Sequence, residues 1–481
     1  MAANCLFPGF VGRTAPDWVR RSLQAGLGGV VLFARNVESR EQLRALTDTL
    51  RAEREDVLIA IDEEGGDVTR LETKTGSSYP GNAALGAVDD VELTDHVAAS
   101  IAWELVDVGV NVNLAPVADV NSNPANPVIG IRSFGPDPEL VARHTAAFVR
   151  GTQLAGVVAC AKHFPGHGDT DVDSHLALPT VESITEAALL PFRAAIGAGV
   201  MSIMSAHIRV AALGDEPATT NAAILDDLLR RELRFVGMAM TDALEMRAIS
   251  ATVGVEEGAV RALEAGADAL CLGHDLGEDA CTRVREAIVD AVRTGRLDEG
   301  RLEGAVERVR LTGGWAMRAP RGERLPSGVG VTAARRALRA DGRTALERPA
   351  LVVELMPEPS IAAGSLPEGP GDWLGRALPD AKTVRVTRWP VDVEVERSRQ
   401  LVVLVRDVHR HAWQRAAVEA LTAPAKDAVV VELGLPEWRP AHAAGYIRTF
   451  GAGRVNVEAA GERLYSGSRR GVEQSGSSPG S

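Results

Sequence analysis

Eight short apolar runs separated by helical patterns, over roughly the first 300 residues, predict a TIM-type (β/α)8 barrel. A second, shorter series behind a Pro/Gly/Arg-rich stretch predicts a smaller α/β sandwich domain after it. An open doubly wound sheet shares the alternation, because a sequence does not show closure. The placement of polar residues favours the barrel: they cluster directly after the apolar runs, where a barrel gathers its active-site loops.

The runs are 6–10, 29–33, 57–61, 110–120, 157–161, 200–204, 236–240 and 267–272. Short, continuous and bounded by Gly, Pro or Asp, they read as buried parallel strands. Leu43, Leu46 and Leu50 then repeat at helical spacing after the second. Asp62-Glu63-Glu64-Gly65-Gly66 and Arg70 follow the third run. Asp119 and an Asn/Pro-rich loop ending near Arg132 follow the fourth. Ser205-Ala206-His207 follows the sixth, Thr241-Asp242-Ala243-Leu244-Glu245 the seventh, and Gly273-His274-Asp275 the eighth. Helical segments cover 278–294 and 298–311.

These readings divide the chain into a barrel over 1–317, a linker over 318–345 and a second domain over 346–465. The remaining 466–481 is rich in Ser, Gly and Arg and is expected to be a disordered tail. Second-domain strands are expected at 351–354, 383–386, 401–405 and 428–432, with a helix at 413–421. His409, His411 and His442 form no constellation there and read as surface residues.

Composition narrows the function classes. At 481 residues the chain can bury sizeable cores, and its 45% hydrophobic content is that of a globular protein. It has no apolar run long enough to span a bilayer. Met1-Ala2-Ala3-Asn4-Cys5 lacks the basic and apolar regions of a secretory signal, so a cytoplasmic location is expected. A net charge of −13 argues against nucleic acid and anionic membranes as partners. The four cysteines are scattered and suggest no disulfide framework.

The fifth run leads into Lys162-His163-Phe164-Pro165-Gly166-His167-Gly168-Asp169-Thr170 and on through Asp171, Asp173 and Ser174 to His175. One cation, three imidazoles and three carboxylates in one loop are costly unless they pair or meet a ligand. A solvated polar loop is the plainest reading. A metal cage is a second, since His163, His167, Asp169, Asp173 and His175 are all potential ligands, but no C-x-x-C or H-E-x-x-H pattern supports it. A third is acid/base chemistry. Asp173 and His175 stand two apart and share a face in extended chain, so the carboxylate can orient the imidazole.

The pattern K-H-F-P-G-H-G-D-T-x-x-D-S-H closely resembles the signature of glycoside hydrolase family 3, in its β-N-acetylhexosaminidase branch. Together with the other rim stretches the resemblance spans most of residues 6–275. It implies a retaining exo-β-N-acetylglucosaminidase acting on chitin- or peptidoglycan-derived oligosaccharides, with no metal or organic cofactor. Asp242 is then the nucleophile, against the plain alternative of a helix N-cap. His175 is the acid/base and Asp173 its orienter. Asp62, Arg70, Arg132, Lys162 and His163 are implied to bind the sugar, with Asn113 and Asp119 as weaker candidates. His167 and Asp169 are read as shaping the loop, and Glu245 as structural.

One stretch departs from the family. Its common D-Q-E-G-G-R is here Asp62-Glu63-Glu64-Gly65-Gly66-Asp67, so a neutral and a basic place have become acidic. Phosphorolysis is the nearest rival activity, because a neutral imidazole repels incoming phosphate less than a carboxylate would. β-Glucosidase activity, metal-dependent hydrolysis and non-catalytic sugar binding are further alternatives.

Overall fold

The computed structural model describes residues 1–473 except 175, 275, 325, 358–367, 392 and 394, with side chains described through Tyr465. His175, the expected acid/base, therefore lies outside the described residues. The chain forms two compact units. The first holds 1–64, 90–129 and 133–327, and the second holds 65–89, 130–132 and the chain from Gly328 on.

The first unit contains eight principal strands: β1 (Leu6–Pro8), β2 (Gly29–Leu32), β3 (Leu58–Ile61), β4 (Val112–Asn113), β5 (Val158–Phe164), β6 (Ser202–Ser205), β7 (Met238–Thr241) and β8 (Leu270–Gly273). Every residue of these strands is buried, which is why the sequence shows continuous apolar runs rather than alternation. β2 to β7 form one parallel sheet in chain order. A parallel bridge between Met240 and Ala269 carries it toward β8, and β8 pairs in parallel with β1. Between β1 and β2 the described backbone shows one hydrogen bond, Gly28 N to Ala3 O at 3.1 Å, and no ladder. The first unit is thus a curled parallel sheet with barrel-like strand order.

The expected fourth strand, 110–120, shrinks to two residues. Asparagine side chains take over its edge: Asn111 Oδ1 accepts from Ile59 N at 2.7 Å and Asn111 Nδ2 donates to Val57 O at 2.9 Å. Farther on, Pro116 has no N–H to give. At the other side of the sheet, the fully buried Asp268 accepts from Ala239 N at 2.9 Å and pairs with Arg230, Arg301 and Arg308. Three guanidiniums compensate one buried carboxylate and tie the approach to β8 onto β7.

The helices follow local rules. Arg40–Glu53 is capped by Ser39 Oγ, which accepts from Gln42 N, and buries Leu43, Leu46 and Leu50 along one stripe. Val91–Asp107 and Pro138–Leu154 are capped by Asp90 and Asp137, the latter with Pro138 in the first turn. Glu299–Arg318 begins at Asp298 and runs past the expected 311. No helix of the described residues is long and apolar enough to cross a membrane.

The second unit contains β9 (Arg339–Gly342), β10 (Ala350–Leu355), β11 (Lys382–Val386), β12 (Gln400–Val405), β13 (Val429–Glu432) and β14 (Gly445–Arg448). Their order is β9-β14-β13-β12-β10-β11, antiparallel only between β9 and β14. Alternate residues serve opposite faces. Val352, Val402, Val429 and Val431 join Trp373, Leu374 and Leu464 in one core, while Val353, Val403 and Val430 join Val418 and Leu421 in the other. The chain leaves β10 to form β11 on one side, then crosses to β12 on the other, so strand order reverses between β10 and β12. Within 318–345, read from composition as linker, lie the helix Val329–Ala337 and β9. The final helix, Arg454–Glu473, continues past Ser466, where composition places the start of a tail.

Gly151 marks a close helix approach, because a Cβ there would lie 2.1 Å from Asp95 O. Gly151→Ala is expected to destabilise the chain by about 1–3 kcal/mol through overpacking. Gly197→Ala, at a helical position with no atom within 4 Å, is expected to be neutral or stabilising. Denaturant unfolding of the two variants reads the contrast.

Candidate active site

The rim after the strands of the first unit is organised by two buried carboxylate clusters. In one, Lys162 near the end of β5 reaches to the end of β3. Its Nζ lies 2.8 Å from Asp62 Oδ1 and 2.6 Å from Glu64 Oε1. Lys162 and Glu64 are buried, whereas the Asp62 side chain keeps 19% of its surface open. One ammonium thus fixes two carboxylates at the rim. The backbone between them is pinned as well: Glu63 N donates to Asn113 Oδ1 at 3.1 Å, and Asn113 Nδ2 donates to Glu63 O at 2.9 Å. Asn113 therefore holds the β3 loop, and the acid at position 63, where the family has Gln, is itself buried.

Asp119 is the second centre. It is fully buried and accepts from His163 Nδ1 at 2.7 Å and from His167 N at 2.6 Å; His163 N lies 3.3 Å from each of its oxygens. Burial raises its pKa, but the His163 and His167 rings and the donated hydrogen bonds outweigh burial and leave it below the usual carboxylate range. With Nδ1–H directed at Asp119, the remaining polar atom of the His163 ring is Nε2. The chain also turns at cis peptides 162–163 and 164–165 here.

His167 is bound into the loop from every side. Its Nδ1 lies 2.7 Å from Thr170 Oγ1 and its Nε2 3.0 Å from Ser174 Oγ, while its carbonyl accepts from Asn126 Nδ2 at 2.9 Å. Ser122 Oγ donates to Asp169 Oδ1 at 3.0 Å. Asp173 begins the next turn: its carbonyl accepts from Leu176 N and Ala177 N at 2.9 and 3.1 Å. The structure thereby places Ser174, next to the expected acid/base, against a locked imidazole.

Asp242 follows β7. Its backbone N donates to Ser205 O at 3.2 Å, and its Oδ1 accepts from Ala243 N at 2.7 Å. Beneath it the fully buried His207 spans from Thr219 Oγ1, 2.8 Å from Nδ1, to Ala243 O, 3.0 Å from Nε2. Glu245 Oε1 meets His274 N at 2.5 Å and Nδ1 at 2.6 Å, so it joins the β7 loop to the β8 loop. Arg70 and Arg132 belong to the second unit, where Arg132 O accepts from Asn82 Nδ2 at 2.7 Å. Asp67, in the family's Arg place, is there too: its Oδ2 lies 2.6 Å from Arg406 Nη1, and its Oδ1 accepts from Ala452 N at 2.9 Å.

Glu64, His207 and Thr219 were not singled out as site residues from the sequence. The available signal was their place: Glu64 and His207 come a few residues after strand ends. Asp119 had that same position, but nothing local announced its role as a hub.

Burial and the nearby His163 charge push the His167 pKa down to about 4. Below its ordinary value of about 6.5 the unfolded chain takes up a proton that the folded loop refuses. The stability held in neutral His167 is complete above that value and is lost as pH falls toward about 4. Unfolding free energy should drop across this window by on the order of 3 kcal/mol. In His167→Gln the slope there should flatten, leaving the acid loss from Asp119 at lower pH.

Comparison with known proteins matches these same segments. A profile of the glycosyl hydrolase family 3 N terminal domain covers residues 13–311. Beta-hexosaminidase A of Pseudoalteromonas piscicida is 37% identical over 314 residues, 59% of this chain and 52% of that protein, so the chain spans about half its length. A beta-hexosaminidase of Neisseria gonorrhoeae is 34% identical over 296 residues, 59% of this chain and 78% of that one. Among solved structures, a glycoside hydrolase family 3 beta-N-acetylglucosaminidase from Paenibacillus sp. str. FPU-7 superposes with a TM-score of 0.86 at 33% identity, covering 97% of this chain and 96% of that one. The matched profile takes in more than half the chain and every rim loop that carries the two carboxylate clusters, and the chain belongs to glycosyl hydrolase family 3.

Proposed function

We propose that this chain is a retaining exo-β-N-acetylglucosaminidase that removes terminal GlcNAc from chitin- or peptidoglycan-derived oligosaccharides. The observation that carries the reading is the buried Asp62–Lys162–Glu64 cluster at the ends of β3 and β5, in the same curled sheet whose β7 leads into Asp242. We read that sheet as a TIM-type barrel. The relatives' names support GlcNAc as the sugar. Asp62, Arg70, Arg132, Lys162 and His163 are the polar clamps of this reading.

In this reading the Asp242 carboxylate attacks the anomeric carbon as the bond to the leaving oxygen breaks. That oxygen takes a proton from His175, whose imidazolium form Asp173 favours. The product is a glycosyl ester on Asp242. Water then attacks the same carbon, gives its proton to His175 and releases the Asp242 carboxylate. Two displacements restore the β configuration. Phosphate in place of water would yield the sugar phosphate. An assay on aryl β-GlcNAc and aryl β-glucoside, with and without phosphate, separates hydrolysis, phosphorolysis and glucosidase activity by product.

Asp242→Asn should remain folded and lose turnover by several orders of magnitude, since an amide does not form the ester. A mechanism-based fluorosugar should label Asp242 in the wild type; label on another carboxylate removes the assignment.

His175→Ala should lose roughly 10²–10⁴-fold on GlcNAc disaccharides but far less on aryl glycosides with good leaving groups during glycosylation. Azide, which needs no base, should restore turnover and give the β-glycosyl azide. An equal slowing of all substrates without azide product would assign the proton to another residue.

A further inference from the structure

Arg70 stands in a segment that has no regular structure of its own. Between β3 and the helix Asn82–Val88 the chain forms neither strand nor helix. The segment 65–89 belongs to the second unit, together with the chain from Gly328 on. Its side-chain restraints come from residues 376 to 385 positions farther along the sequence.

These restraints grip both flanks of Arg70. On the upstream side, Asp67 Oδ1 accepts from Ala452 N at 2.9 Å, and Asp67 Oδ2 pairs with Arg406 Nη1 at 2.6 Å. On the downstream side, Arg454 opens the final helix. It donates from Nη2 to Ser78 Oγ at 2.7 Å and from Nε to Gly76 O at 3.3 Å. Ser78 passes the restraint on, because its N and Oγ donate to the Glu72 carboxylate at 2.6 and 2.7 Å. Arg454 Nη2 also lies 3.8 Å from Glu72 Oε1. Glu72 N donates in turn to Thr69 Oγ1 at 3.1 Å, which brings the chain of contacts to the residue next to Arg70.

The base of this network is rigid. Val455, Asn456 and Val457 are buried behind Arg454, and Val457 packs in one core with Trp373 and Leu374. Asn456 Nδ2 donates to Thr449 O at 2.9 Å and ties the first turn of the helix to the chain before it. The fit is close as well as polar. A Cβ at Gly76 would lie 2.5 Å from the Trp373 ring and 3.0 Å from Arg454 Cβ, and one at Gly453 would lie 3.1 Å from Gly66 Cα. The Glu72 and Arg454 side chains are 15% and 27% exposed, so solvent screens them less than a surface pair.

We propose that Arg454 is a positioning residue for sugar binding, acting through Ser78 and Glu72 to hold the segment that carries Arg70. The C-terminal unit thereby takes part in substrate affinity. The inference rests on the reading of Arg70 as a sugar clamp.

The test is the competitive Ki of GlcNAc against hydrolysis of aryl β-GlcNAc, measured on the full chain, Arg70→Ala, Arg454→Ala and the double variant. Ki does not depend on how much of a preparation is folded, so a merely structural loss leaves it unmoved. Arg454→Ala should raise Ki about tenfold, because a clamp displaced by a fraction of an ångström loses much of its contact. Added to Arg70→Ala, the same change should raise Ki by less than about twofold, since the group it positions is already gone. Ser78→Ala removes the acceptor between Arg454 and Glu72. It should move Ki in the same direction, again only while Arg70 is present, and it keeps the test open if Arg454→Ala folds poorly. An unchanged Ki in Arg454→Ala or Ser78→Ala, or an equal rise with and without Arg70, overturns the proposal. No aryl release by the wild-type chain, or an unchanged Ki in Arg70→Ala, overturns the functional reading and this inference with it.

Discussion

The buried carboxylate of Asp119 is the constraint on which the rim depends. Placed in the interior alone, it would be strongly unfavourable. The end of β5 and the loop after it wrap around it and supply the His163 ring and the His167 amide. The requirement runs both ways: the carboxylate needs donors, and a loop this rich in polar groups needs a fixed partner. His163, His167 and through it Ser174 all take their positions from this one anchor.

Lys162 sits next to His163 in sequence but faces another way. Its ammonium bridges Asp62 and Glu64, so a displacement of the Asp119 hub would be felt at the β3 loop as well. The Asp242 loop is held by a separate set of contacts, from Ser205 O, His207 and the Glu245–His274 pair. Both sets use side chains to satisfy backbone groups of a neighbouring loop.

The departure at position 67 is resolved in the second unit. An acid there, where the family's common pattern has an arginine, is accompanied by Arg406 just after β12. Arg406 in turn borders a cavity at the strand-order reversal. The second unit is a doubly wound layer with cores on both faces, and Asp67, Glu354, Arg385 and Arg406 lie where its strand order reverses.

What the sequence determined by itself was local in physical origin. Fully buried parallel strands need continuous apolar runs, so the eight principal strands of the first unit and β10, β12 and β13 of the second were readable from hydrophobicity, whereas β11 is exposed over all but Val386. Rim residues follow those runs, so the placement of Asp62, Lys162, His163 and Asp242 at or just after strand ends was readable from the sequence. Other features required the folded chain. Asn111 trims the fourth strand by bonding across to Val57 and Ile59, some fifty residues away in sequence. Glu245 meets His274, Asp119 gathers the β5 loop, and Asp67 meets Arg406. The grouping of 65–89 and 130–132 with the C-terminal unit also lies beyond any boundary read from composition. Hydrophobic periodicity is written along the chain. Hydrogen bonds and charge pairs act through space, so their partners are decided only when the strands bring distant segments together.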